Sequence, residues 1–203
     1  LLGSRGLGDV YKRQFKFLVK NMNFPRLETE RLILRQLSRK DKQRIVSLLN
    51  NRNIIDMTGT IPHPYTEKHA MEYINGTLLG FERRQKTAFG IVQKRDNLLI
   101  GAMGIRYDKE HQRGNLGYWI GEAYWGNGYA TEALKALMAY EFSYEGLHKI
   151  EACHFGENIG SSRVLLKAGL KKEAEKKEHF KKNGRFLDVI EYGLLRKDYL
   201  ANK

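Results

Sequence analysis

The stretch that decides the fold is YWIGEAYWGNGYAT, which runs from Tyr118 to Thr131. It reads as an apolar strand, a turn that contains Gly126 and Gly128, and the start of a helix. The first main-chain N–H groups of a helix have no acceptor within the helix, and they add to its dipole, so such a junction binds phosphate oxygens. Glycines let the main chain approach a diphosphate closely because they lack a Cβ atom. The stretch therefore predicts an anion site made of main-chain amides.

Taken alone, this glycine pattern is a weak indication, because short glycine turns between a strand and a helix also occur without any ligand. The stretch lacks the Gly-Lys-Ser/Thr of a P-loop, and it lacks the third glycine of a Gly-x-Gly-x-x-Gly dinucleotide fingerprint. Its interpretation therefore depends on the elements and motifs around it.

Outside this stretch, alternating apolar patterns predict strands, and patterns with a spacing of three to four residues predict helices. The predicted order is strand, two helices, three strands, helix, strand, helix and two strands. Asn183-Gly184 is a hairpin signal between the last two strands, and residues 53–65 read as a loop. The predicted strands are 32–37, 87–94, 98–107, 115–120, 149–155, 172–180 and 185–195, and the predicted helices begin after Ser38, Thr66, Tyr129 and Asn158. Strand-helix-strand units beside a meander predict a mixed α/β sheet.

The chain of 203 residues has a formal net charge of +13. Residues 1–14 resemble translated adapter sequence, so we predict that residues 1–21 are a non-native or untranslated-region leader and that residues 22–203 form a single domain. The leader carries +4 of the charge, which leaves +9. A basic balance favours an anionic partner without saying which one.

Composition argues against several classes of protein. The apolar fraction of 41% is enough for a sizeable core, which argues against wholesale disorder. No apolar run reaches the about 18 residues of a membrane span, so no membrane partner is expected. Cys153 is the one cysteine and cannot form an internal disulfide, which suits a reducing cytoplasm. The six histidines show no metal-ligand spacing, so no metal is expected.

Several motifs together resemble the GNAT superfamily of N-acetyltransferases, most closely its RimJ/RimL-type branch. Residues 125–130 look like the family's pyrophosphate loop, with tryptophan in the place of Gln or Arg. Residues 158–170 resemble the second family motif, and residues 27–35 and 62–66 resemble N-terminal landmarks of the branch. The resemblance covers residues 25–200. It implies a GNAT fold, with a mixed, mostly antiparallel sheet of six or seven strands flanked by helices and with splayed central strands.

The resemblance implies an acetyl-CoA-dependent acyltransferase, in which a primary amine attacks the thioester directly in a ternary complex. Pantetheine is expected to pair with the strand before the loop, and a main-chain N–H near Ile120 is expected to polarise the thioester carbonyl. The residues implied in cofactor binding are Tyr118, Trp119, Ile120, Trp125, Gly126, Asn127, Gly128, Tyr129, Ala130, Thr131, Asn158 and Ser161.

The resemblance also implies catalytic roles for Ser161, Asn158 and Glu151, each with an alternative. Leu165 stands where many family members carry a tyrosine that serves the sulfur, and Ser161 is the group that the branch offers instead; otherwise Ser161 is an ordinary first-turn residue. Asn158 serves the cofactor, caps a helix, or does both. Asn115 stands where some relatives carry a glutamate base, so Glu151 is either a substitute acting through water or a salt-bridged strand carboxylate.

The sequence and the family resemblance do not determine which amine accepts the acetyl group. Resemblance to the branch favours a protein N-terminus, of an acidic or ribosomal protein, with polyamines, aminoglycosides or amino acids as the alternative. A CoA-binding protein without activity and an RNA-associated module are further alternatives, although no RNA-binding motif is present and nucleic acid is not the expected partner. The expected oligomeric state is a monomer or a homodimer.

Overall fold

The computed structural model of the protein describes residues 24–202, and the predicted leader over residues 1–21 lies outside this range. Eight strands within the described residues form one sheet in the order β1-β2-β3-β4-β5-β6-β8-β7. All neighbouring strands are antiparallel except β5 and β6, which are parallel. The strands are β1 (Leu27–Glu28), β2 (Leu32–Gln36), β3 (Lys86–Gln93), β4 (Leu98–Asp108), β5 (Arg113–Ile120), β6 (Lys149–Phe155), β7 (Lys171–Lys182) and β8 (Arg185–Leu195).

The mixed, mostly antiparallel sheet predicted from the sequence is confirmed. The structure has one strand more than the six or seven predicted, because β1 is only two residues long and such a short segment carries no readable period. The predicted hairpin between β7 and β8 is also present, with Asn183 and Gly184 both at positive φ. Positive φ at two successive residues matches the twist of the flanking strands, which explains the preference for Asn-Gly at this turn.

Six helices among the described residues flank the sheet, and one of them replaces part of a predicted loop. Asn51 accepts a hydrogen bond from the N–H of Ile54 at 3.3 Å and so starts a helix inside the loop predicted over residues 53–65. That part of the prediction was wrong, because this short helix is stabilised by its cap and by burial of Ile54 rather than by a long apolar stripe. The helices are α1 (Lys42–Leu49), α2 (Arg52–Asp56), α3 (Glu67–Glu82), α4 (Tyr129–Tyr140), α5 (Ile159–Lys167) and α6 (Arg196–Ala201).

Apolar side chains cover both faces of the sheet. On one face, Leu134 and Leu137 of α4 pack with Ile150 of β6, and on the other, Ile45 of α1 and Ile74 of α3 pack with the remaining inward side chains. The four predicted core residues of α4 are at most 1% exposed, and they are Ala133, Leu134, Leu137 and Met138. Because side chains alternate along a strand, each central strand contributes to both cores.

The two parallel strands separate halfway along their length. Pairing between β5 and β6 runs from Arg113–Lys149 to Leu116–Ala152 and stops there. Beyond that point residues 117–120 of β5 stay paired with β4, and residues 153–155 of β6 stay paired with β8. We call the gap between these two segments the slot. It corresponds to the splayed central strands that the family resemblance implied.

Candidate active site

The β5 edge of the slot presents main-chain groups of Tyr118 and Ile120. The N–H of Gly121 donates to the carbonyl oxygen of Ile100 at 2.8 Å. Main-chain groups along a strand alternate between its two neighbours, so residues 119 and 121 bond to β4 while residues 118 and 120 face the slot. An extended chain that carries amides can pair with such an edge in the way that an added strand would.

The turn between β5 and α4 depends on Gly126 and Gly128, whose φ angles are 76° and 78°. A Cβ on Gly126 would meet nothing within 4 Å, so glycine is required there by the left-handed backbone and not by space. Gly128 is the N-cap residue of α4, and no side chain caps that helix end. No residue within 24–202 accepts a hydrogen bond from the N–H groups of residues 126–131. These donors are therefore available to an anion, and the dipole of α4 favours negative charge at this end.

Trp125 and Tyr129 fasten this turn to the sheet. The indole N–H of Trp125 donates to the carbonyl oxygen of Ile120 at 2.7 Å, and the side chain of Gln93 donates to the hydroxyl of Tyr129 at 2.6 Å. The side-chain amide of Asn127 donates to the carbonyl oxygen of Trp125 at 2.9 Å. Tryptophan in the place of Gln or Arg therefore stabilises the loop without adding charge to it.

Arg31 and Glu132 hold the loop from the side of β2. Arg31 donates to the Glu132 carboxylate at 2.7 Å and to the carbonyl oxygen of Asn127 at 3.0 Å. Glu132 also accepts from the hydroxyl of Thr29 at 2.6 Å and from the N–H of Arg31 at 2.9 Å. Burial would raise the pKa of Glu132, but the hydrogen bonds from Thr29 and Arg31 outweigh it and hold the pKa below its ordinary value. We call this set of contacts the Arg31 clamp.

Residues 27–35 were predicted only as a family landmark, and the Arg31 clamp was not predicted. The partners Arg31 and Glu132 lie 101 positions apart in the chain, so no local pattern connects them. Their proximity follows from the packing of α4 against β1 and β2. The one available signal was the charge itself, a basic residue in a landmark and an acidic residue in the first turn of a helix.

Asn158 and Ser161 begin α5 beside the slot. Asn158 is the N-cap residue, and its side-chain oxygen accepts a hydrogen bond from the N–H of Ser161 at 3.0 Å. The hydroxyl oxygens of Ser161 and Tyr118 are 2.7 Å apart, so one hydrogen bond joins α5 to the β5 edge of the slot. Burial raises the pKa of Tyr118 to about 12. The structure thus brings three predicted site residues together, and it adds the phenol of Tyr118, from which only main-chain contacts were expected.

Trp119 points away from these residues. Its side chain is 8% exposed and packs in the core under α1 and α3. Tyr73 packs against the same core, and burial raises the pKa of its phenol to about 12. The indole therefore supports β5 from the opposite face, while Tyr118 and Ile120 face the core under α4 and α5.

The face of the sheet toward α1 and α3 carries Glu151, the remaining predicted catalytic residue. Asn115 of β5 pairs directly with Glu151 of β6, and Gly117 and Cys153 follow on the same face. We call the surface formed by these four residues the cleft face. Burial, and then the nearby carboxylate of Glu191, raise the pKa of the Cys153 thiol.

Basic side chains pair with the carboxylates of the cleft face and its margin. Lys149 lies 3.1 Å from the Glu151 carboxylate, and Arg113 lies 3.6 Å from it. On the neighbouring strand, Glu191 pairs with Lys176 at 2.6 Å. Sequence analysis missed Glu191, because only the strand register places it beside residue 153.

Helix α2 is attached at both ends to other parts of the fold. At one end, the side chains of Asn51 and Asn53 donate to the carboxylate of Glu122 at 2.5 and 2.6 Å, just after β5. At the other end, the ammonium group of Lys182 donates to carbonyl oxygens at the end of α2, including that of Thr58. Lys182 closes strand β7, so α2 links the segment after β5 to the β7–β8 hairpin.

The described residues contain neither a metal-binding cluster nor a membrane-spanning helix. No three His, Cys, Asp or Glu side chains in residues 24–202 are grouped so that they could hold a metal ion. None of the helices in that part of the chain is both long and apolar enough to cross a membrane.

Comparison with known proteins matches the chain to one family. A family model described as an acetyltransferase (GNAT) domain matches residues 31–171. The uncharacterized N-acetyltransferase YoaA of Bacillus subtilis (strain 168) is 31% identical over 174 residues, which are 85% of this chain and 98% of that protein. The crystal structure of spermidine N-acetyltransferase from Vibrio cholerae in complex with CoA and spermine is 26% identical, with a TM-score of 0.73, and the match covers 85% of this chain and 99% of that one.

A third comparison concerns the fold alone. The structure of RimL, a ribosomal L7/L12 alpha-N-protein acetyltransferase in complex with coenzyme A, superposes with a TM-score of 0.79 at 17% identity. That match covers 86% of this chain and 99% of the other. The family model, the relatives and the open donors at the start of α4 agree with one another. The chain belongs to the GNAT family of acetyltransferases and is an acetyl-CoA-dependent N-acetyltransferase.

Proposed function

We propose that this N-acetyltransferase moves the acetyl group of acetyl-CoA to the N-terminal amine of a protein. The diphosphate of the cofactor binds the N–H groups of residues 126–131 at the start of α4. Pantetheine pairs with the main-chain groups of Tyr118 along the slot, which brings the thioester to the N–H of Ile120. The observation that carries this placement is the row of open N–H donors at the Gly128 cap, directly beside an unpaired strand edge.

Chemistry proceeds by direct attack of a neutral amine on the thioester. The N–H of Ile120 stabilises the oxyanion that develops on the carbonyl oxygen, since fixed amides cost no reorganisation during the reaction. The hydroxyl of Ser161 donates a hydrogen bond to the departing sulfur. Asn158 positions Ser161 by accepting its main-chain N–H, so capping and catalysis are served by one contact.

Glu151 is the proposed base, and it takes the proton of the amine through a water molecule. It lies on the cleft face opposite Asn115, an asparagine that cannot accept a proton. Its ion pairs with Lys149 and Arg113 are the basis of the competing explanation, in which Glu151 only stabilises the sheet. Replacement of Glu151 by Gln separates the two, because loss of a base lowers the rate about 10²–10⁴-fold, whereas loss of a partly buried ion pair changes stability and leaves the chemical step unaffected.

The charge pairing of the cleft face supports a protein N-terminus over a polyamine. A polycation needs several carboxylates without basic partners, whereas Glu151 and Glu191 are already paired with Lys149, Arg113 and Lys176. A polyamine remains the second candidate, because a spermidine N-acetyltransferase is 26% identical over most of the chain.

The test follows thiol release from acetyl-CoA with a panel of amines. The panel contains peptides with free N-termini, the same peptides with blocked N-termini, spermidine and spermine. We expect release with the free peptides and none with the blocked ones. Faster turnover of spermidine than of every peptide would overturn the proposed acceptor, while cofactor binding without any turnover would overturn the proposed chemistry.

A further inference from the structure

We propose that Tyr118 is a positioning residue for the leaving thiolate, because its phenol donates to Ser161 and so directs the Ser161 hydrogen at the sulfur. This inference rests on the proposed role of Ser161. It assigns to the side chain of Tyr118 a part in the reaction beyond main-chain pairing.

The contact that supports this is the 2.7 Å hydrogen bond between the two hydroxyl oxygens. Tyr118 lies on β5 two residues beyond Leu116, where pairing with β6 stops, so its phenol crosses the side of the slot that faces α5. Ser161 lies in the first turn of α5, and its main chain is held by Asn158. The contact therefore joins two elements that border the slot, next to the segment that pairs with pantetheine.

Either hydroxyl of this pair can donate, and we assign the donor role to Tyr118. A serine hydroxyl has one hydrogen and two lone pairs, and its hydrogen rotates to suit its surroundings. Burial raises the pKa of the phenol to about 12, so Tyr118 is protonated and available as a donor at neutral pH. When Tyr118 donates to Ser161, the serine hydrogen is free to point at the sulfur. The low local dielectric strengthens both hydrogen bonds, from Tyr118 to Ser161 and from Ser161 to the sulfur.

The alternative position for a sulfur partner is filled by an apolar residue. Leu165, one turn further along α5, is fully buried and has no polar group to offer. The phenol of Tyr118 thus reaches from the strand toward the region that a tyrosine on the helix would serve. It acts through Ser161 and does not contact the sulfur itself.

The step balances without an acid residue. As the tetrahedral adduct collapses, the C–S bond breaks and its electron pair stays on sulfur as a thiolate. Ser161 donates a hydrogen bond to that thiolate, and both hydroxyl groups keep their protons. The amine loses its proton through a water molecule to Glu151, and the thiolate takes a proton from solvent when it leaves.

The first experiment needs no acceptor. The pKa of the bound CoA thiol is measured by thiolate ultraviolet absorbance in wild type, Tyr118→Phe, Ser161→Ala and the double variant, with Tyr144→Phe as the control. Tyr144 is 80% exposed and lies just after the C-terminal end of α4. Its replacement by Phe also removes one phenol hydroxyl, but at a site away from the slot. We expect the thiol pKa to rise by about 1 in Tyr118→Phe, and by no more in the double variant than in Ser161→Ala. Affinity for desulfo-CoA, which lacks the sulfur, should be the same in all five proteins.

The second experiment uses the fastest amine of the panel above. We expect kcat to fall about tenfold in Tyr118→Phe, with an unchanged KM for acetyl-CoA. In the wild-type protein we expect no loss of activity from ionisation of Tyr118 below about pH 11. If Ser161→Ala leaves both thiol pKa and kcat unchanged, the proposed role of Ser161 fails. If Ser161→Ala is impaired while Tyr118→Phe matches the Tyr144→Phe control, Ser161 acts alone and the inference is overturned.

Discussion

A carboxylate placed in the first turn of α4 should stabilise the protein and weaken its hold on CoA. Thr131 is the third residue of α4, it is half-buried, and its N–H is among those without a protein acceptor. Thr131→Asp adds a negative charge there, and Thr131→Asn adds the same shape without the charge. The charge faces the positive end of the helix dipole in the free protein and the cofactor's diphosphate in the complex.

The two effects can be estimated separately. A carboxylate in the first helical turn stabilises by about 0.3–1 kcal/mol, which is about 1–3 °C in Tm for a domain of this size. One helical turn is about 5.4 Å long, so the carboxylate lies about 6 Å from an anion at the helix start. With an effective dielectric constant of about 40, repulsion from a diphosphate of about two charges amounts to about 3 kcal/mol, or about a hundredfold in Kd.

The assay is isothermal titration of CoA into both variants at low and high salt, together with thermal melts of the free proteins. We expect Thr131→Asp to melt at or above the temperature of Thr131→Asn and to bind CoA about a hundredfold more weakly. The ratio should shrink strongly in about 1 M salt, where the Debye length is about 3 Å. Equal CoA affinity of the two variants at low salt would refute the location of the diphosphate.

Three further perturbations test other parts of the structure. Arg31→Met leaves the carboxylate of Glu132 without its ion pair and frees the loop, so CoA affinity should fall about tenfold and Tm by several degrees; unchanged affinity in calorimetry would contradict the role of the Arg31 clamp. Burial raises the pKa of Glu141 from 4.5 to about 8, so the folded state binds the Glu141 proton more tightly than the unfolded state does. The stability contributed by this protonation is fully present below about pH 4.5 and is lost as the pH rises to about 8. Glu141→Gln should therefore show a shallower loss of unfolding free energy between pH 5 and pH 8 in urea titrations, and parallel curves for both proteins would contradict this sign. Lys182→Met should speed hydrogen exchange in α2 without changing CoA affinity, and protection of α2 equal to that of wild type would show that the ammonium contacts do not hold that helix.

Periodicity predicted the elements with long apolar patterns, and its errors are local. The buried face of α4 and the Asn183–Gly184 hairpin follow from spacing and turn chemistry, which act over a few residues. Strand β1 and helix α2 were not predicted, because two and five residues are too few to show a periodic pattern. Helix α2 depends instead on its cap and on contacts with Glu122 and Lys182.

The sequence by itself determined the fold class and the glycine loop that we propose as the diphosphate site. Glycines at a strand-to-helix junction act through the main chain, and main-chain donors need only local geometry. Side-chain chemistry was harder to predict, because a hydroxyl or a carboxylate takes its role from its neighbours in space. Only the tertiary structure brought Tyr118 to Ser161 across 43 positions, joined Arg31 to Glu132 across 101, and placed Glu191 beside Cys153. Such contacts form when helix packing and strand pairing bring distant segments of the chain together. No periodic pattern in the sequence predicts them.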